Sequence, residues 1–280
     1  MIDLHTHSTA SDGSCAPERL VALALEAGLT ALALTDHDTL AGIERAREAA
    51  AGTGLRLIAG VEIEIARETG EFHLLGLGFS QNRDGLEAAL TRVRADRNER
   101  NLLMVARLRA AGFPVSMEEL REIGGGEVIS RAHFARLLVR KGIAGSIGAA
   151  FSRFIGKGKE FYEPRTCLAL GEACALIRAS GGLPIVAHPL SLGLRGPALR
   201  QELSSAKAAG AAGIEAWHPS HSLKDCRMLA RLARALGMAV TGGSDFHGAN
   251  IPQRRLGRTA GGREVPDELL EALALHPAAR

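Results

Sequence analysis

Residues 2–7 read Ile-Asp-Leu-His-Thr-His, a brief apolar run that closes on two histidines two residues apart. A strand alternates its side chains between faces, so the His-x-His spacing puts both imidazoles on one side. The same design recurs along the chain. The run Ala31–Thr35 is followed by Asp36-His37-Asp38, Arg56–Glu62 ends in Gly60-Val61-Glu62, and Phe72–Gly78 carries His73. Leu183–Ala187 leads into His188-Pro189, and Gly213–Trp217 leads into His218-Pro219-Ser220-His221. Ala239–Gly242 leads into Gly243-Ser244-Asp245-Phe246-His247. Short apolar runs bounded by Gly or Pro have the length and composition of buried strands.

Helical patterns separate most of these runs, at Pro17–Ala27, Leu40–Ala51, Leu168–Ala179, Ala198–Ala209 and Leu223–Leu236. Pro17 suits a first helical turn, and Gly28 and Gly237 suit the stop after a last one. Strand alternating with helix predicts parallel strands joined by crossovers. The fold class expected is α/β, a distorted (β/α)7 TIM-like barrel one strand short of the usual eight. Such barrels carry their chemistry at the C-terminal ends of the strands, where these histidines and carboxylates fall. One segment breaks the rhythm. Residues 81–164 hold helical patterns at Asp84–Ala111, Met117–Ile123, Arg131–Arg140 and Ser146–Phe154, and no convincing strand. We expect a barrel domain of residues 1–80 and 165–280, with 81–164 inserted as a helical cap over its mouth.

Composition excludes several classes. The chain has 280 residues, 46% hydrophobic and 23% charged, which is globular rather than disordered. No stretch of about 18 apolar residues runs without a charge, so no membrane span is expected. No basic and apolar leader precedes residue 5, and a cytoplasmic location is expected. The 34 basic residues include five Lys and leave 29 Arg, yet the net charge is only +3. A pI near 8.8 falls short of a dedicated nucleic-acid binder, so stable duplex binding is not expected. The four cysteines form no Cys-x-x-Cys pair and read as reduced thiols. The Arg-rich stretch with Arg92, Arg94, Arg97 and Arg100 also carries Asp96 and Glu99 and reads as a solvated helix face.

Acids gathered at one end of a barrel repel one another unless cations neutralise them. A mixed His and carboxylate set suits zinc, manganese or iron, and its lack of Cys speaks against a structural thiolate site. In combination, His5-Thr6-His7 with Asp12, Thr35-Asp36-His37-Asp38, Ala187-His188-Pro189 and Ser244-Asp245-Phe246-His247 resemble the four signature motifs of the polymerase and histidinol phosphatase (PHP) family. The resemblance covers nearly the whole chain. It implies a distorted seven-stranded barrel with a trinuclear metal site that cleaves phosphoesters. By position it implies a first metal on His5, His7, Glu62 and Asp245. A second would sit on Asp12, His37 and His247, and a third on Glu62, His73 and His188, with Glu62 bridging. Some members have His where this chain has Asp12, which makes the cluster here more anionic. Three divalent ions are implied, manganese foremost, with zinc or iron also suited.

The insertion, the run Ile129-Ser130-Arg131-Ala132-His133-Phe134-Ala135-Arg136, Gly156-Lys157-Gly158-Lys159 and Ser220-His221-Ser222 resemble a narrower group. It contains nucleoside 3′,5′-bisphosphate phosphatases and RNase AM-type 5′→3′ exoribonucleases. The Gly-Lys-Gly-Lys run lacks the spacing of a Walker loop, which excludes an NTPase reading. The activity implied is hydrolysis of the 3′-phosphate of a nucleoside 3′,5′-bisphosphate by a metal-bridging hydroxide. The alternative is 5′→3′ trimming of short 5′-phosphorylated RNA. A histidinol phosphate phosphatase or a non-catalytic regulatory module ranks below both. An amidohydrolase fits less well, because Glu62 stands where a carbamylated lysine would bridge. In this reading Asp245 takes the proton of the attacking water. His218 or His221, with His221 favoured, protonates the leaving ribose oxygen or clamps the phosphate. Ser130 and Arg131 hold a second phosphate, Ser130 doubling as a helix cap. Asp12, Arg136 and Lys157 are further substrate contacts. The partner expected is a small phosphorylated nucleotide or short oligoribonucleotide, on a monomeric enzyme.

Overall fold

The computed structural model describes residues 1–67, 70–79, 83–124 and 128–274. The expected strands form one sheet in sequence order: β1 (Ile2–Asp3), β2 (Ala31–Leu34), β3 (Arg56–Glu64), β4 (His73–Leu77), β5 (Leu183–Val186), β6 (Gly213–Trp217) and β7 (Ala239–Gly242). A parallel bridge between Thr6 and Phe246 links the exits of the first and last strands, and the His7 amide donates to the Phe246 carbonyl at 2.9 Å. The sheet thereby nearly closes into a distorted TIM-like barrel. Every residue of β2, β5 and β7 is buried, as continuous apolar strands covered on both faces should be.

The strands are not all parallel. β1, β2 and β3 run parallel, as do β5, β6 and β7, but β4 runs antiparallel to both neighbours. Only residues 65–72 separate β3 from β4, fewer than the dozen or so a crossover needs. The chain therefore turns back as a hairpin. Reversal puts the start of β4, rather than its end, at the barrel mouth, where His73 pairs with Glu64 of β3.

The helices are α1 (Pro17–Glu26), α2 (Ile43–Ala50), α3 (Asp84–Ala110), α4 (Met117–Gly124), α5 (Arg131–Arg140), α6 (Ile147–Ala150), α7 (Leu170–Ala179), α8 (Gly196–Ala208), α9 (Leu223–Ala235) and α10 (Glu268–Ala274). The sequence reading missed α10, whose Leu269 and Leu273 join the barrel core. The helix expected over 146–154 widens after Ala150 into a π turn, Phe151–Ile155. β4 delivers the chain to the end of the barrel away from the mouth. α3, about 40 Å long at 1.5 Å per residue, carries it back. Leu86, Leu90 and Val93 of α3 pack into the barrel core, and Met104, Val105 and Leu108 into a second core with Phe134, Leu137 and Phe161.

The arginine face of α3 is not solvated. Arg97 and Arg100 are 5% and 4% exposed, and of the four only Arg92 is open to solvent. The cause is the path of α3 across the mouth. Arg97 is ion-paired with the buried Asp38, and Arg94 donates to the Asp38 carbonyl at 2.9 Å. Among the described residues, no helix is long and apolar enough to cross a membrane.

Candidate metal centre

Four ligand atoms from three strands and their exits face one point. His5 Nε2 lies 3.1 Å from His7 Nε2, 3.2 Å from Glu62 Oε2 and 3.5 Å from Asp245 Oδ1. His7 Nε2 lies 3.2 Å from the same Glu62 oxygen and 3.1 Å from the same Asp245 oxygen. Ligands about 2.0–2.2 Å from a tetrahedral ion stand about 3.3–3.6 Å from one another, so this set matches a divalent ion's cage. A second group surrounds Asp12, whose carboxylate lies 3.2 Å from His247 Nε2 and 3.9 Å from His37 Nε2. A third forms on the other Glu62 oxygen. Oε1 lies 2.8 Å from His73 Nδ1 and 2.9 Å from His188 Nε2. Glu62 thus faces two groups with two oxygens. His7 Nδ1, on the Asp12 side, is buried with no hydrogen-bond partner, an open valence that a bound ion at this cluster would relieve.

The backbone is bent to bring these atoms in. Asp38, His188 and Asp245 are the only non-glycine residues with positive φ among those described, at 52°, 23° and 49°. Such conformations cost about 1–3 kcal/mol each and persist where surroundings impose them. At His188 and beside Asp245 buried carboxylates do so. Glu215 accepts from the His188 amide at 2.8 Å. Asp3 accepts from the Ser244 amide at 2.9 Å, its hydroxyl at 2.5 Å and the Gly257 amide at 2.7 Å. Asp36 holds the loop after His7 through the Ser8 amide at 2.8 Å and the Ser11 hydroxyl at 2.6 Å. Gly243 is required for space, since a Cβ there would sit 2.4 Å from the His5 Cβ.

Two residues of the centre were not read from the sequence. Glu215 lies 2.9 Å from His5 Nδ1, which fixes the ring and turns Nε2 toward the cluster. A lone glutamate inside the otherwise apolar run Gly213–Trp217 was the available signal. Arg254 contacts the Asp245 carboxylate and donates to its carbonyl at 2.8 Å. It stands on an irregular loop with no periodicity to mark it.

The charges reinforce one another. Burial opposes ionisation of every group here, and at the carboxylates, His7 and His73 opposite charges outweigh it. Glu62, Asp12 and Asp245 are held well below the usual carboxylate range by the surrounding imidazoles, with Arg254 adding to the effect at Asp245. Glu215 is lowered to about 2, chiefly by His5. Burial lowers His7 and His73, yet the facing carboxylates raise them to about 10 and about 9. His37, where burial prevails, falls to about 4. The cluster binds positive charge strongly, and divalent ions would displace its protons.

The remaining candidates are spread around the mouth. His218 lies 3.1 Å from Asp245 Oδ2 through Nε2, while its Nδ1 accepts from the Ser220 amide at 3.1 Å. The neutral ring therefore carries its hydrogen on Nε2 and donates it to Asp245, and His218 lines a 240 Å³ cleft with His73, His188, Asp245 and Arg254. His221 is not among the residues lining that cleft. Its Nδ1 donates to the Ala216 carbonyl at 3.0 Å, its Nε2 is buried without a partner, and burial lowers it to about 4. Ser130 caps α5, accepting from the Ala132 amide at 3.2 Å. Ser130 and Arg131 line a 130 Å³ space with Asp12 and Arg97. Arg131 also opens onto a 610 Å³ cleft with Lys157 and Tyr162, its guanidinium 5.6 Å from the Tyr162 ring centre. Lys157 donates to the Arg67 carbonyl at 2.8 Å. Arg136 reaches the Asp12 carbonyl at 3.4 Å and holds the chain behind that carboxylate.

A family model, the PHP domain, matches residues 3–123. A 5′-3′ exoribonuclease from Haemophilus influenzae is 38% identical over 245 residues, which cover 88% of this chain and 89% of that protein. A 3′,5′-nucleoside bisphosphate phosphatase from Chromobacterium violaceum is 35% identical, covering 92% and 91%. A solved structure of a candidate metal-dependent phosphoesterase from Bifidobacterium adolescentis superposes with a TM-score of 0.85 at 29% identity, covering 98% and 96%.

Proposed function

The chain belongs to the PHP domain family, and on that premise we propose that it is a metal-dependent phosphoesterase that removes the 3′-phosphate of nucleoside 3′,5′-bisphosphates. The observation that carries the proposal is the division of Glu62 between two groups of imidazoles on the floor of a cleft.

His5, His7, Glu62 and Asp245 would hold one ion, Asp12, His37 and His247 a second, and Glu62, His73 and His188 a third. Manganese is the ion we assign, and zinc or iron also suits such a set of imidazoles and carboxylates. Bound divalent ions lower the pKa of water and draw charge from phosphoryl oxygens. Asp245 takes the proton of the attacking water. His218 stands at the mouth, and its imidazolium form delivers a proton to the departing ribose O3′; burial lowers its pKa, so that form gains population as pH falls. His221 holds the turn behind it through the Ala216 carbonyl. The amino end of α5 and Arg131 supply positive charge for the 5′-phosphate, with Lys157 at the rim of the same cleft. In this reading residues 1–80 and 165–280 form the catalytic barrel, 81–164 the cap, and the enzyme works as a cytoplasmic monomer.

A second reading has a specific warrant in the Haemophilus influenzae relative, a 5′-3′ exoribonuclease. Under this reading the chain breaks the same P–O3′ bond, now in a diester. Product analysis separates the two. Adenosine 3′,5′-bisphosphate should give AMP and phosphate faster than a 5′-phosphorylated dinucleotide gives a mononucleotide. The reverse order would make chain trimming the main activity. Release of adenosine 3′-phosphate would refute the assigned orientation.

A further inference from the structure

The mouth opens on a second side that a mononucleotide leaves unused. A 620 Å³ groove runs over the loop after His247, lined by Ser220, Arg254, Arg255, Arg258 and Thr259. It shares Ser220, Ile251 and Arg254 with the cleft above the metal ligands. That cleft shares Glu71 with the Arg131 cleft opposite. The metal ligands therefore lie between this arginine-lined groove and the Arg131 cleft, where Glu71 and Glu64 stand 3.5 and 3.9 Å from the guanidinium. No Asp or Glu lines the groove beyond them. Arg255 is exposed and has no ion pair or side-chain hydrogen bond among the described residues, and Arg258 meets only the exposed Glu264, at 3.1 Å.

We infer that this groove holds the nucleotides on the 3′ side of the scissile phosphate, with Arg255 and Arg258 on their phosphodiesters. The inference rests on the orientation given above. With phosphorus at the metal ligands and the 5′ nucleotide on the Arg131 side, whatever is attached beyond phosphorus must leave through the opposite side. In a bisphosphate nothing is attached there. In a single-stranded oligoribonucleotide the rest of the chain is. Water oxygen bonds to phosphorus, the P–O3′ bond breaks with its electron pair on O3′, and O3′ takes a proton. The products are a nucleoside 5′-monophosphate and a shortened chain bearing a new 5′-phosphate, again an acceptable substrate. An Arg-lined trough holds such a chain by charge, without reading its sequence.

The test measures binding without turnover, by anisotropy of 3′-fluorescein, 5′-phosphorylated oligoribonucleotides of one to four nucleotides in EDTA. Wild-type affinity should rise with each added nucleotide up to about three. The double variant R255A/R258A should bind the tetranucleotide about tenfold more weakly. Its log Kd against log salt should be shallower by about 1.4, the share of two phosphate contacts to a single strand. R255K/R258K should recover most of the affinity. With metal restored, the double variant's loss of kcat/KM on the tetranucleotide should exceed its loss on the bisphosphate at least fivefold. Affinity that does not grow beyond one nucleotide, or a Kd and salt slope unchanged in the double variant, would overturn the inference. A wild-type protein that releases no phosphate from the bisphosphate would instead sink the proposed function and leave the binding comparison to decide the groove.

Discussion

Glu215 Oε1 stands 2.9 Å from Nδ1 of His5, and both residues are fully buried. The pair fixes how the first histidine of the chain presents itself. With Nδ1 engaged, only Nε2 is left for Glu62, Asp245 and a shared ion. Outer partners of this kind typically matter 10–100-fold to metal affinity or activity. Glu215→Gln should therefore keep the fold and lose metal affinity by about that factor, read by competition with a chromogenic chelator. Wild-type affinity in the variant would show that the pair serves packing alone.

The two oxygens of Glu62 face different imidazoles, so one substitution should weaken more than one ion. Adding manganese to chelator-treated wild-type protein should raise Tm, since a ligand at a hundred times its Kd adds about 2.7 kcal/mol. Glu62→Gln should abolish most of that rise and reduce the bound metal by more than one equivalent in elemental analysis. A variant that loses a single equivalent would contradict the bridging role.

Arg131 sits between the metal cluster and the cap cleft. Arg131→Ala should depress kcat/KM for nucleoside 3′,5′-bisphosphate hydrolysis by about tenfold or more. Hydrolysis of a small aryl phosphate, which has no second phosphate, should change little. Equal losses on both substrates would remove Arg131 from recognition.

His133 closes the cap of α5 by accepting from the Ser130 amide at 3.0 Å, which requires an unprotonated Nδ1. Burial lowers its pKa to about 4; Asp12 opposes the shift and Arg136 adds to it. Between about pH 6.5 and 4 the unfolded chain binds a proton that the folded chain refuses, so stability is lost as pH falls through that window. The contribution is about 3 kcal/mol at most. His133→Gln keeps an acceptor at the same position of the capping box and removes the titration. Its Tm should match wild type near pH 7.5 and fall less by pH 5. Parallel curves would show that His133 does not titrate in this range.

Much of this was legible in the sequence because barrel strands are short, apolar and punctuated. Each expected strand is present, and His5, His7, His37, Glu62, His188, Asp245 and His247 stand where a run of apolar residues stops. What was not legible depended on direction and on distant partners. The reversal of β4 follows from a connection too short for a helix, and the alternation of strand and helix elsewhere masked it. His73 reaches the centre only because of that reversal. Arg97 and Arg100 look like a solvated face when α3 is read alone, since Asp96 and Glu99 lie beside them. They are buried because α3 crosses the mouth, where Arg97 joins Arg165 on the carboxylate of Asp38, far away in sequence. His221 and His218 are indistinguishable as letters three apart. The hydrogen bonds to the Ala216 carbonyl and the Ser220 amide separate them, leaving one facing the mouth and the other behind it.

The most direct measurement is phosphate release from adenosine 3′,5′-bisphosphate by protein stripped with chelator and reloaded with manganese, beside the stripped protein and Asp245→Asn. AMP and phosphate are expected from the reloaded wild type, and at least a hundredfold less from the other two. Equal turnover with and without metal, or none from the fully loaded enzyme, would contradict it.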